Sequence, residues 1–157
     1  MSSHPQPPAP TAGRRVTLDN LRQRKAEGRK FPVLTSYDAT TARWQVQAGV
    51  DVLLVGDSLG MCVLGYDSTV PVTMEQMLEA CRAVRRGAPS AYVIGDMPFG
   101  SYHNHIHEAV NHGLAFLASG GCDCVKLECD GRMADVVAAM DRANVPVMAH
   151  LGLLPQR

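Results

Sequence analysis

Three acidic residues recur at the same place in a repeated pattern. Asp57 closes the run DVLLVGD, Asp96 closes AYVIGD and Glu128 closes CVKLE. Each run is short, apolar and rich in β-branched residues, which reads as a buried strand. Folds of parallel strands and helices bind ligands at the carboxyl ends of their strands. Three acids at three successive strand ends therefore converge on one region. Carboxylates brought together repel, and each then favours its protonated form. A divalent cation relieves the repulsion, and all-oxygen ligation suits magnesium or manganese better than zinc. The bland alternative, that each acid caps the next helix or meets solvent, explains one such residue more readily than three.

Other candidates surround these acids. Lys126 lies two residues before Glu128 and shares its face of the strand, with Val125 and Leu127 on the helix-facing side. A lysine there pairs with a carboxylate, or holds an anionic substrate or the developing charge of an enolate. His150 ends a further strand in the same way, as a site residue or a satisfied core histidine. Ser58 follows Asp57 in GDSLG, where glycine-flanked backbone amides can cradle an anion and the hydroxyl can donate to a carboxylate. GDSL also resembles the nucleophile block of GDSL-type serine hydrolases. Those enzymes carry the block at the first strand and an Asp-x-x-His block near the C-terminus; here it follows the second strand and the partner block is missing. His103, His105, His107 and His112 invite a metal reading, but the first three lack helical i, i+4 spacing and fit a solvent-facing loop. The cysteines, Cys62, Cys81, Cys122, Cys124 and Cys129, are odd in number and contain no CxxC pair, so they read as buried thiols rather than a disulfide, zinc or redox set.

The elements that must position these groups alternate. A helix over 16–29, capped by Thr17, precedes strands over 31–36, 50–55, 91–95, 124–128 and 145–149. Helices over 39–48, 73–85, 106–118 and 132–143 separate them, and residues 56–71 read as a glycine-punctuated loop. Thr73 and Gln76 have capping-box spacing. Strands alternating with helices imply parallel βαβ units, as an open doubly wound sheet or part of a (β/α)₈ barrel.

Composition sets outer bounds. In 157 residues, 15 Lys and Arg balance 15 Asp and Glu, which argues against a general nucleic-acid binder. With 46% hydrophobic residues the chain can bury a core. No run approaches the ~20 apolar residues of a membrane span. The proline-rich start has neither a basic nor an apolar signal region, and reads as a disordered leader over 1–15. These features fit a cytoplasmic protein.

A longer ordered set of blocks resembles the ketopantoate hydroxymethyltransferase family. LVGDSLGMCVLGYDSTVPVTMEQMLEACRAVRRGAP is similar to that family's signature, and TSYDATTA, GDMPFGSY, VKLE and AHLGLLPQ follow its order. The resemblance spans about 16–157. It implies an α/β fold, a partial (β/α)₈ TIM barrel of the phosphoenolpyruvate-mutase-like group. About five of the eight strands would be present, with an N-terminal helix closing the barrel bottom. It also implies magnesium-dependent transfer of a hydroxymethyl group from 5,10-methylenetetrahydrofolate to 3-methyl-2-oxobutanoate, giving 2-dehydropantoate for pantothenate synthesis. Magnesium-linked carboxylates then match Asp57, Asp96 and Glu128. Substrate contacts match Asp57, Ser58, Asp96 and Lys126, with His150 as a further site histidine. A homo-oligomer is implied for the full-length protein.

The family's general base is a glutamate expected beyond Arg157, because a whole barrel takes ~250 residues. On that reading the C-terminal strands are absent, and two sheet edges and the barrel interior are uncovered. Two other functions stay open: a non-catalytic metal- or ligand-binding fragment, and a phosphoenolpyruvate-mutase-like or isocitrate-lyase-like C–C bond enzyme.

Overall fold

The computed structural model describes residues 15–156. The expected leader therefore lies outside the described residues except for Arg15, whose Nη2 donates to Asp123 Oδ1 at 2.7 Å.

The chain runs α1 (Leu18–Ala26), β1 (Val33–Thr35), α2 (Ala39–Gln47), β2 (Val52–Val55), α3 (Leu59–Cys62), α4 (Met74–Gly87), β3 (Tyr92–Asp96), α5 (Ile106–Ala118), β4 (Cys124–Glu128), α6 (Ala134–Arg142) and β5 (Val147–His150). Helix starts follow local chemistry. Thr17 and Thr73 each close a capping box, with Asn20 and Gln76 as partners, and Asp38 accepts from the amides of Thr40 and Thr41. The bounds of α5 and β4 are those expected from sequence. Three differences stand out. A short helix, α3, lies within the expected loop. The expected strand over 31–36 pairs only over Val33–Thr35. The helix expected over 132–143 opens as a 3₁₀ turn over Gly131–Met133, with Asp130 accepting from the Arg132 amide.

All five strands are parallel, and their spatial order is their chain order. A doubly wound sheet reverses its winding at a switch point. This sheet never reverses, so the barrel-type arrangement is the one realised. Side-chain alternation makes two layers. Leu53, Val55, Val93, Val125 and Leu127 pack with Met77, Val84, Phe116 and Met140 from the helices. On the opposite face Val52, Tyr92, Ile94 and Cys124 gather with Val16.

The segment leading into α1 closes the amino end of the strands. The Val16 amide donates to Ser90 O at 2.8 Å, and Arg24 Nη2 donates to Asp51 Oδ2 at 2.5 Å. Asp123, just before β4, also accepts from Arg85 and from the Val93 amide. The outer strands β1 and β5 each pair with one neighbour, and Val33, Leu34 and Met148 are exposed there. Among the described residues no helix is long and apolar enough to cross a membrane.

Two glycines mark close approaches. A Cβ on Gly87 would lie 2.1 Å from Ala39 O, so α4 ends directly against the start of α2. A Cβ on Gly95 would lie 2.4 Å from Phe116 Cδ1 and 2.9 Å from Cys122 Sγ. Gly95→Ala is therefore expected to lower stability by about 1–3 kcal/mol through overpacking. Urea unfolding measures this; an unchanged midpoint would show that Phe116 yields without cost.

Candidate functional site

The carboxyl end of the sheet gathers the acids. Asp57 lies two residues past β2, Asp96 ends β3, and Glu128 ends β4 with His150 as its partner on β5. All three acids are buried, at 5%, 2% and 2% exposure for Asp57, Asp96 and Glu128. The register staggers them: Asp96 pairs across the sheet with Lys126, not with Glu128.

Lys126 shares the Glu128 face, as its spacing implies, but its ammonium turns to Asp96. Nζ donates to Asp96 Oδ1 at 2.7 Å and to Oδ2 at 2.8 Å. The Asp57 amide reaches Asp96 Oδ2 at a long 3.4 Å. Burial pushes the Asp96 carboxyl up to about 7; the Lys126 ammonium opposes the rise and the Asp57 charge adds to it.

Gln156 joins the other two acids. Its Nε2 donates to Asp57 Oδ2 at 2.8 Å and to Met97 O at 3.0 Å. Its backbone amide donates to both oxygens of Glu128, at 3.3 and 3.2 Å. Tyr102 donates its hydroxyl to Gln156 Oε1 at 2.7 Å and accepts from the Glu128 amide at 3.1 Å. Burial, its largest influence, raises the Tyr102 phenol well above its ordinary value, so it stays a hydroxyl.

Ser58 and His150 sit at the margin of this network. Ser58 Oγ is 2.9 Å from Tyr37 Oη, and burial raises the Tyr37 phenol. The serine's partner is thus a phenol rather than an imidazole, which leaves the hydrolase reading without a base. His150 is half-buried at the end of β5, and its backbone carbonyl accepts from the Cys129 amide.

The other expected features fall elsewhere. His105 and His107 are exposed; His105 precedes α5, as expected of a solvent-facing loop, whereas His107 lies in the first turn of α5. His103 and His112 are not: both are half-buried. His103 stacks on Tyr102 at 4.1 Å, and His112 Nδ1 lies 2.6 Å from Ser101 O, so these two are built into the loop's packing. All five cysteines are free, and only Cys62 is exposed. Contact with Cys122, then burial, pushes the Cys81 thiol well above its ordinary value, the opposite of a reactive thiolate. A cleft of ≈ 510 Å³ lined by Leu18, Tyr92, Cys124 and Met148 lies at the amino end, away from the acids.

Gln156, Tyr102 and Tyr37 were not singled out by sequence reasoning. All three lie inside blocks quoted for the resemblance, AHLGLLPQ, GDMPFGSY and TSYDATTA. Taking those blocks residue by residue was the available signal.

The family model for ketopantoate hydroxymethyltransferase matches residues 15–157. The chain belongs to this family. A family member from Desulfotalea psychrophila, a 3-methyl-2-oxobutanoate hydroxymethyltransferase, is 55% identical over 142 residues, covering 90% of this chain and 51% of that protein. One of the same name from Thermobifida fusca is 46% identical over 159 residues, covering 99% of this chain and 57% of that protein. The chain spans about half the length of the curated relatives it matches. Among solved structures, a phosphonopyruvate hydrolase superposes with a TM-score of 0.69 at 20% identity, over 85% of this chain and 52% of that one. A 2,3-dimethylmalate lyase of the PEP mutase/isocitrate lyase superfamily gives 0.63 at 19% identity, over 85% and 52%. These two likenesses concern the fold, which is the barrel group expected from sequence.

The donor set can be tested against a cation. Among the described residues no three His, Cys, Asp or Glu side chains stand close enough to hold an ion by themselves. Asp96 pairs across the sheet with Lys126, and Gln156 lies between Asp57 and Glu128. The charge of the acids still fits a divalent ion. Three buried carboxylates face one buried ammonium, and two positive charges restore the balance. Magnesium needs only one or two direct carboxylates, with water and substrate oxygens filling its octahedron.

Lys126→Met removes the ammonium and leaves Asp96 buried without its partner. Measured in chelator by urea unfolding, the expected loss is about 3 kcal/mol. A loss below about 1 kcal/mol would mean that this pair does little beyond filling space.

Proposed function

We propose that this chain serves the transfer of a hydroxymethyl group from 5,10-methylenetetrahydrofolate to 3-methyl-2-oxobutanoate, giving 2-dehydropantoate, with magnesium at Asp57, Asp96 and Glu128. The observation that supports it is the meeting of these acids with Lys126 at the carboxyl end of a barrel-type sheet, in a chain of this family. Small-molecule substrates, a homo-oligomer and a cytoplasmic setting belong to the same reading.

Magnesium, when bound, supplies Lewis-acid polarisation of the 2-oxo acid, making its C3 hydrogen removable. Asp57, Asp96 and Glu128 would hold it, directly or through water. Lys126, beside Asp96, offers its ammonium to the substrate's carboxylate or to negative charge developing on the 2-oxo oxygen. Ser58, held by Tyr37, is placed to donate to the carboxylate. Burial keeps bulk water from screening these charges. Removal of the C3 proton would need a general base, and none of these residues is assigned that role. The likeness to phosphonopyruvate hydrolase supports shared architecture, while the family match favours hydroxymethyl transfer over other C–C bond chemistry.

Titration calorimetry tests the binding half. The chain is expected to bind 3-methyl-2-oxobutanoate with magnesium present and to lose it in chelator, with Asp57→Ala weakening it roughly tenfold or more. Metal-independent binding would overturn the site assignment. In deuterated water the 157-residue chain is expected not to exchange the C3 hydrogen, read by NMR. Exchange would place a base among these residues.

A further inference from the structure

Gln156 is 3% exposed and commits its side-chain amide and its backbone N–H to the site. Its amide orientation follows from its partners. Met97 O and the Asp57 carboxylate only accept, so the nitrogen faces them and the oxygen faces Tyr102. The Tyr102 proton is directed in turn, because the Glu128 amide already donates to its oxygen. The bonds form a loop that starts at the Glu128 amide, passes through Tyr102 and Gln156, and returns to the Glu128 carboxylate through the Gln156 backbone. Asp57 hangs from this loop by one bond.

We propose that Gln156 is a positioning residue that sets the orientation of the Asp57 and Glu128 carboxylates, and that Tyr102 sets the orientation of Gln156. A neutral amide suits the task. An arginine or lysine would orient the same carboxylates but cancel their charge and compete with a cation. Gln156 orients both acids and leaves both charges in place. The cation part of this inference rests on the magnesium reading above; the orientation part does not.

The test uses Gln156→Met, which keeps the volume and the backbone amide to Glu128 but loses the side-chain polar atoms, and Tyr102→Phe, which loses one hydroxyl. Crystal structures of both variants and the unaltered chain, grown in chelator, report the carboxylates directly. The expected result is a changed Asp57 rotamer in Gln156→Met and a turned Gln156 amide in Tyr102→Phe. An unmoved Asp57 and an unturned amide would overturn the proposal. Mn²⁺ titration followed by EPR gives the second readout. Gln156→Met is expected to bind Mn²⁺ about tenfold more weakly, and to lower the thermal midpoint in chelator because buried Asp57 loses its donor. Equal affinity alongside moved carboxylates would overturn the cation part alone. If the unaltered chain takes up no Mn²⁺, the magnesium reading fails, and the chelator structures still decide the role of Gln156. If Gln156→Met does not fold, Tyr102→Phe carries both readouts.

Discussion

Lys126 is the one buried cation among the described residues, and three buried carboxylates share its surroundings. A buried charge is tolerated only when paired or hydrogen-bonded. Lys126 satisfies Asp96. Asp57 and Glu128 receive neutral donors instead, from Gln156. The shortage of positive charge thus shapes which side chains can stand at the carboxyl end of the sheet. A fourth acid would deepen it, and a second cation would reduce it.

The two ends of the strands solve opposite problems. At the amino end each acid has its cation: Asp51 has Arg24, and Asp123 has Arg15 and Arg85. These pairs tie α1 and α4 to the strand starts. At the carboxyl end charge is left over. Ion pairing is concentrated at one end of the strands and unbalanced charge at the other, in keeping with the division of barrel folds.

Much of this was legible in sequence because it is local. The capping box at Thr73, the bounds of α5 and β4, and the shared face of Lys126 and Glu128 all follow from spacing of a few residues. The strand-end acids were legible because the same local pattern recurs. The missed features are those that depend on distant partners. Gln156 meets Asp57 across 99 positions of chain, and nothing in LLPQ announces a buried amide. The pairing of Asp96 with Lys126 rather than Glu128 depends on strand register, a property of the sheet rather than of any strand. The helix α3 escaped because four residues carry too little periodicity to read.

Gly95 gives the site a dependence on the far side of the sheet. Its missing side chain lets Phe116 of α5 rest against the β3 backbone one residue before Asp96. The path from the helix layer to the carboxylate is therefore one peptide unit long. Volume changes at position 116 reach Asp96 as backbone displacement, without any side chain in between to absorb them. The aromatic ring bears on the backbone that carries the acid, so the helix layer and the carboxyl-end cluster meet at Gly95.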